Sequence, residues 1–223
     1  MKKFTHLLSA TMAVLCAASP ALAADVNITA GHMDLDIDYV GGVLSLDFKT
    51  YTSMTPVAVP VGDDVAPVGS TSYPIQVALA ETYVVPTGAT WSCLGTSGST
   101  VYRLRQTQLL SQVWLGYNTQ DVPAATFVSN QVRLNLVSVV SAPAGAKFIM
   151  YATNGFGTPT YLLNSNTGLC SKTSLPITNN IHNHSWYAFT APGTYIIRYN
   201  ATGTLLGGLV KTSANVDVTY KVQ

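Results

Sequence analysis

Hydrophobic and polar residues alternate along most of this chain, which is typical of half-buried β-strands because successive side chains point to opposite faces. The alternating or apolar runs are 43–51, 132–137, 147–153, 195–199 and 216–222. Gly41-Gly42, Thr87-Gly88, Ala144-Gly145 and Pro192-Gly193 separate such runs with residues that favour turns. The pattern therefore predicts a series of short strands.

Only Tyr102–Val113 has a helix-like composition, and it lacks a clear apolar stripe. Many short strands without a strand–helix–strand rhythm indicate an all-β fold. We expect a single domain over residues 24–223, an antiparallel immunoglobulin-like β-sandwich. Within it, Thr52–Ser72 predicts a long irregular connection.

The first 23 residues have the pattern of a secretory signal peptide. Lys2 and Lys3 precede the apolar run Leu7–Ala18, and Ala21-Leu22-Ala23 provides small residues for cleavage. The apolar run is too short for a membrane span. The expected mature chain begins near Ala24, is periplasmic or secreted, and has no membrane span or anchor.

The charge balance gives no indication of a polyanionic partner. The whole chain has 11 Lys and Arg against 10 Asp and Glu, and cleavage after residue 23 would remove two lysines and leave a net charge near −1. Charged residues make up 9% of the chain, against about a quarter in typical proteins. Nucleic acid and anionic membranes favour clustered Lys and Arg, so neither is an expected partner.

Cys93 and Cys170 are the only cysteines after the predicted leader. A pair of cysteines in an exported chain most simply forms a disulfide. A redox or metal-binding role is the alternative, although the two lie too far apart for a C-x-x-C motif.

Candidate chemistry lies in two short segments, which hold all three histidines beyond the leader. In the first, a strand places His32, Asp34, Asp36 and Asp38 on one face, and Met33, Leu35, Ile37 and Tyr39 on the other. A solvated polar face is the simpler interpretation of the first row. A row of ligands for a cation is the alternative.

In the second segment, His182, His184 and Trp186 share a face if the chain is extended there. Two imidazoles in an H-x-H pair can bind one metal ion, although polar loop residues ahead of a strand would give the same letters. Trp186, Tyr187 and Phe189 are expected to pack in the core. If the first strand lies beside this segment, His32, Asp34, His182 and His184 would form a set suited to Zn²⁺ or Cu²⁺.

The order of three motifs resembles a bacterial surface-anchored repeat domain known best from actinobacteria. The motifs are Gly31-His32-Met33-Asp34, Leu115-Gly116-Tyr117-Asn118-Thr119-Gln120, and the segment from His182 to Tyr195. The resemblance covers about residues 28–222 and implies an exported β domain, often encoded near metal ABC transporters. It thereby implies metal handling by His32, Asp34, His182 and His184, with such a transporter or another envelope protein as partner. The chain departs from the family in being one domain without the usual anchor, and in having Tyr117 and Gln120 where Trp and Glu are commoner.

Two functions follow as hypotheses. The first is a non-catalytic envelope protein that binds Zn²⁺ or Cu²⁺, with an affinity that falls below about pH 6 because imidazole binds metal only when neutral. The second is a structural or adhesive surface module without a metal. An enzyme is not expected, since the chain has no G-x-S-x-G, H-E-x-x-H or phosphate-loop motif, and Glu81 is its sole glutamate.

Overall fold

A computed structural model of the chain describes residues 25–56, 61–63 and 68–223. The predicted signal peptide over residues 1–23 lies outside the described residues. Within these ranges the regular structure is almost entirely strand, with three short 3₁₀ turns at Ala89–Trp91, Val128–Asn130 and Gly168–Cys170. The predicted all-β class is therefore confirmed.

Each of the five runs predicted from the alternating pattern overlaps a strand, and the structure adds further strands outside them. They are β1 (Gly31–Val40), β2 (Val43–Thr50), β3 (Ile75–Val77), β4 (Thr82–Val84), β5 (Thr100–Leu104), β6 (Val113–Asn118), β7 (Gln131–Ser141), β8 (Phe148–Thr153), β9 (Pro159–Asn164), β10 (Ser174–Thr178), β11 (His182–His184), β12 (Trp186–Phe189), β13 (Gly193–Thr204), β14 (Val210–Thr212) and β15 (Val216–Val222). Gly41 and Gly42 both have positive φ in the turn between β1 and β2, which is the conformation that a two-residue hairpin requires.

These strands form three sheets. The first has the order β11-β6-β1-β2, and the second has the order β10-β7-β13-β15-β3 with β14 paired to β13. The third has the order β4-β5-β12-β8-β9. Most neighbours are antiparallel, but β1 pairs with β6 in parallel, and so does β15 with β3. The structure confirms the predicted all-β sandwich, whose sheets are antiparallel except for these two pairs, and the immunoglobulin-like arrangement stays a prediction.

The main core lies between the apolar faces of these sheets. Its fully buried side chains include Leu35 from β1, Phe148 from β8, Tyr187 from β12 and Tyr199 from β13. A second, smaller cluster around Ile149 and Tyr151 packs on the other face of the third sheet. Burial of apolar area on this scale is the main term that stabilises the fold.

The stretch Tyr102–Val113 is not helical. It contains the end of β5, a connection with turns, and the first residue of β6. The absence of an apolar stripe explains the difference, because an amphipathic helix needs one to pack on the core. No helix in the described part of the chain is long and apolar enough to cross a lipid bilayer.

A disulfide joins Cys93 and Cys170, as the sequence predicts. The bond links the segment after the first 3₁₀ turn to the end of the third, 77 residues apart in sequence. Leu94, the residue after Cys93, is buried in the smaller cluster.

Candidate metal centre

The two histidine segments meet in the first sheet, on either side of β6. In the parallel pairing of β1 with β6, His32 is opposite Trp114 and Asp34 is opposite Gly116. In the antiparallel pairing of β11 with β6, His184 is also opposite Gly116. The expectation that β1 and the His182 segment are direct neighbours is wrong, because β6 lies between them.

Gly116 allows the side chains to meet across this intervening strand. Strands two apart in a sheet are separated by about 9.6 Å, twice the ordinary strand spacing. A Cβ atom on Gly116 would lie 2.2 Å from Asp34 Oδ1 and 2.8 Å from His184 Cε1. Every larger residue would therefore fill the space in which the imidazole and the carboxyl group approach each other.

Three imidazole nitrogens converge beside one carboxyl group. The Nε2 atom of His182 lies 3.3 Å from that of His32 and 3.1 Å from that of His184. It also lies 3.0 Å from Asp34 Oδ2, and His32 Nε2 lies 3.9 Å from Asp34 Oδ1. One ligand atom from each of the four residues lies within 4.8 Å of all the others. We call these four residues the His–Asp cluster.

These separations suit one metal ion. Zinc bonds of about 2.0–2.1 Å at tetrahedral angles place neighbouring ligand atoms about 3.3 Å apart. Three of the four distances lie close to that value. The fourth joins the other oxygen of Asp34, and His184 lies within 4.8 Å of both His32 and Asp34, so small side-chain movements would bring the four groups to the distances of a four-coordinate ion.

The polar face of β1 is buried rather than solvated. Asp34 and Asp36 are 0% exposed and Asp38 is 8% exposed. The simpler interpretation of this row, a solvated strand face, is therefore wrong. Met33, Leu35 and Ile37 on the opposite face are also fully buried, as predicted.

Burial keeps the ligands of the cluster neutral. It raises the pKa of Asp34 to about 8, with a further contribution from the nearby Asp36. It lowers the pKa of His32 to about 4 and that of His184 to about 3, and the neighbouring imidazoles lower both further. The pKa of His182 is lowered by burial too. At neutral pH the imidazoles therefore keep lone pairs that a metal ion can accept.

Two aromatic rings hold the imidazoles in place. The Trp114 ring stacks on His184 with a centroid distance of 3.6 Å and an interplanar angle of 8°. The Tyr51 ring stacks on His32 at 4.5 Å and on His182 at 4.8 Å. The indole is fixed in turn by a hydrogen bond from Trp114 Nε1 to the Gln106 carbonyl oxygen. The side chain of His182 is 26% exposed and that of His32 is 11% exposed, so one side of the cluster faces solvent.

A group of charged residues continues the row beyond the cluster. Lys49 Nζ lies 2.6 Å from Asp121 Oδ2, 2.8 Å from Asp63 Oδ1 and 3.9 Å from Asp36 Oδ2. Asn118 donates a 2.6 Å hydrogen bond to Asp36 Oδ1. Lys49 already supplies a cation here, which distinguishes this group from the His–Asp cluster.

Trp186 does not share a face with the histidine pair. The chain passes from β11 into β12 at Ser185, and β12 belongs to the third sheet. There the Trp186 ring covers the guanidinium of Arg103 at 3.8 Å. Tyr187 and Phe189 are buried in the main core, as predicted.

Sequence reasoning did not assign roles to Tyr51, Trp114 or Gly116. Tyr51 directly follows β2, in line with the polar face of the predicted strand that holds Asp47 and Lys49. Gly116 lies in the middle motif of the family resemblance, but a glycine has no side-chain group that would indicate a site. Tyr51 and Gly116 matter because of where they lie in the first sheet, and that depends on the register with which β6 pairs with its neighbours.

The chain was compared with protein-family models, with curated proteins and with solved structures, and nothing matches it. The resemblance to the surface-anchored repeat domain therefore stays a prediction. The fold and the site define an all-β protein with a cluster of three histidines and one aspartate.

Proposed function

We propose that this protein binds a transition metal ion, Zn²⁺ or Cu²⁺, through His32, Asp34, His182 and His184, and that it is a non-catalytic protein of the cell envelope or exterior. The observation that carries the proposal is the approach of His182 Nε2 to the Nε2 atoms of His32 and His184, at 3.3 and 3.1 Å, beside a buried carboxyl group. Nitrogen-rich sets with one carboxylate suit Zn²⁺ and Cu²⁺ better than Ca²⁺ or Mg²⁺.

The cost of burying Asp34 supports a metal over a purely structural cluster. A carboxyl group buried beside a second acid destabilises the folded state when it ionises. A divalent cation at the Nε2 atoms would offset that cost and displace the proton. A structural role without a cation leaves this burial unexplained.

The number of ligands supports a non-catalytic role. Structural zinc sites have four protein ligands, whereas catalytic sites keep one position open for water or substrate. The His–Asp cluster offers four. The family resemblance adds the hypothesis that the metal is exchanged with a metal ABC transporter or another envelope protein, and the exposed edge at His182 is where such an exchange would begin.

The direct test is a calorimetric titration of the purified, metal-free protein with Zn²⁺ and with Cu²⁺. We expect one ion per chain, with a dissociation constant below about 10 µM. The double variant His182→Ala/His184→Ala should lose this binding, whereas Thr178→Ala, an exposed change in the same region, should retain it. Failure of the native protein to bind either ion, or equal binding by the double variant, would refute the proposal.

The same variants separate metal binding from the structural or adhesive alternative. If the histidines act only as packing groups, their loss changes stability but no metal-dependent property. Trp114 provides an independent signal, since Cu²⁺ bound at His184 would lie next to the stacked indole and quench its fluorescence. Quenching that persists in the double variant would assign the ion to another place.

A further inference from the structure

A cavity of about 280 Å³ opens on the second sheet, where β7, β13 and β14 lie side by side and the 3₁₀ turn ahead of β7 adjoins them. We call it the Arg133 pocket. None of the described residues that line it belongs to the first sheet, so it is separate from the His–Asp cluster and does not depend on the proposed metal. Its lining includes Val128, Ser129, Gln131, Arg133, Thr202 and Val210.

Arg133 is the feature that points to a ligand. It is exposed, and its Nη1 atom donates a 3.2 Å hydrogen bond to Ser174 Oγ. Arg105 and Arg198 each pair with a carboxylate, whereas Arg133 has no carboxylate partner among the described residues. An accessible guanidinium at a cavity, with its charge unpaired, offers a binding group for an anion from outside the chain.

A series of hydrogen bonds orients this guanidinium. Ser174 Oγ donates in turn to Asn135 Oδ1 at 2.8 Å, and Asn135 Nδ2 donates to Thr202 Oγ1 at 3.0 Å. With Nη1 held at Ser174, the Nε and Nη2 atoms of Arg133 have no acceptor in the described part of the chain. These two nitrogens form an edge that can donate to both oxygens of one carboxylate.

The rest of the lining favours a carboxylate over other anions. Arg133 is the one charged residue among the described residues of the lining, and Lys211 is directed away, to the Gly42 carbonyl oxygen. A phosphate monoester carries a charge of about −1.5 to −2 at neutral pH and calls for a second cation. Val128 and Val210 add apolar surface, being 45% and 61% exposed. A matching ligand therefore has one negative charge and an apolar group.

The volume limits that apolar group to a short one, because pockets for drug-sized molecules measure about 300–1,000 Å³. We propose that the Arg133 pocket binds a carboxylate attached to a short aliphatic group, with both oxygens at Arg133 and the aliphatic group against Val128 and Val210. Such a group occurs in a free short-chain acid and at the carboxyl end of a peptide whose last residue is aliphatic.

The test is calorimetry and ligand-observed NMR on the purified protein with isovalerate. We expect a dissociation constant on the order of 1 mM, as suits so small a ligand. Isovaleramide has the same shape without the charge, and acetate lacks the aliphatic group, so each should bind about tenfold more weakly. Equal binding of isovaleramide or acetate, or tighter binding of methyl phosphate than of isovalerate, overturns the proposal.

Variants locate the binding. Arg133→Gln changes an exposed side chain and should weaken the binding of isovalerate about tenfold, because it removes the charged donors. Arg105→Gln makes the same change of net charge outside the pocket and should leave the affinity unchanged. Native affinity in Arg133→Gln rejects the pocket, and an equal loss in Arg105→Gln assigns the effect to net charge and rejects it too.

The apolar contact has its own variant. Val210→Ala should weaken the binding of isovalerate about threefold and leave that of acetate unchanged, because only isovalerate has an aliphatic group to place against this side chain. An equal effect on both ligands would contradict the proposed orientation.

Two further comparisons define the ligand and the site. The peptide Ala-Ala-Ala-Leu distinguishes the source of the carboxylate: higher affinity than for isovalerate assigns the carboxyl end of a chain, and equal or lower affinity assigns a free acid. The same peptide with a carboxyl-terminal amide should not bind, and its binding would contradict the proposal. Isovalerate should bind His182→Ala/His184→Ala as it binds the native protein, so failure of the metal proposal would leave this one standing.

Discussion

Asp34→Asn should make the metal-free protein more stable and the metal-loaded protein less stable. The carboxyl group is fully buried, and its pKa is raised from the ordinary 3.8 to about 8. A group whose pKa is raised on folding contributes stability that is fully present below the unfolded value and is lost as pH rises through the folded value. For Asp34 that loss extends from about pH 4 to pH 8.

The size of the effect follows from the shift. At 1.36 kcal/mol for each pH unit, a change from 3.8 to about 8 corresponds to roughly 6 kcal/mol. Asparagine has nearly the same shape and cannot ionise, but its amide is also costly to bury. We therefore expect the free energy of unfolding of metal-free Asp34→Asn to exceed that of the native protein by about 2–4 kcal/mol at pH 8, and by little at pH 4.

With metal bound, the native protein should be more stable than Asp34→Asn. An ion present at 100 times its dissociation constant stabilises the folded state by about 2.7 kcal/mol. Asp34→Asn lacks the anionic ligand and should gain much less. Such an exchange of stability for function is common where a binding site is strained or charged.

The assay is urea unfolding at pH 4, 6 and 8, with EDTA and with excess Zn²⁺, followed by fluorescence and circular dichroism. Thr178→Ala, the exposed change used above, controls for general effects of a substitution in this region. The reasoning is refuted if metal-free Asp34→Asn is less stable than the native protein at pH 8. It is also refuted if both proteins gain equally from zinc.

Three further predictions concern the pH dependence of metal binding, the role of Gly116 and the disulfide. The affinity for metal should rise about tenfold per pH unit between pH 5 and 8, because the ion must displace the Asp34 proton; calorimetry should find no such slope in Asp34→Asn. Gly116→Ala should abolish metal binding in the same titration, whereas Gly155→Ala, where a Cβ meets nothing within 4 Å, should bind normally. Replacing Cys93 and Cys170 by Ser should lower the free energy of unfolding by about 2–4 kcal/mol in urea, and an unchanged midpoint would contradict this.

The pH dependence expected from the sequence changes once burial is known. Free imidazole titrates near pH 6.5, which places the loss of metal affinity below about pH 6. In the folded protein the pKa of His32 is about 4 and that of His184 about 3, so these two ligands stay neutral at lower pH. If the protein binds a metal ion as proposed, the proton that competes with the ion is therefore that of Asp34.

Local pattern predicted the parts of the site that depend on local geometry. Alternation alone places His32 and Asp34 on one face of a strand, and His182 with His184 on one face of another. It cannot predict that β6 pairs in parallel with β1, because that pairing joins residues about 80 apart in sequence. The role of Gly116 and the stacking of Trp114 depend on that register.

The sequence alone could not predict that the row of aspartates on β1 is buried. Asp34, Asp36 and Asp38 have the letters of an exposed strand face, and exposure is the common outcome for aspartate. The ion pairs of Lys49 with Asp63 and Asp121 bring distant segments against this face. Only the complete fold shows which polar face is covered.

The His–Asp cluster joins strands that are far apart in sequence, on either side of Gly116 in β6. His32 and His182 are 150 residues apart, so the cluster exists only after β1 and β11 have both paired with β6. Contacts over such separations form slowly, because closing a long loop costs entropy before the contact is made. A metal ion bound here would therefore recognise the folded protein and not the unfolded chain. It would stabilise the pairing of β1 and β11 with β6 only after these strands have come together.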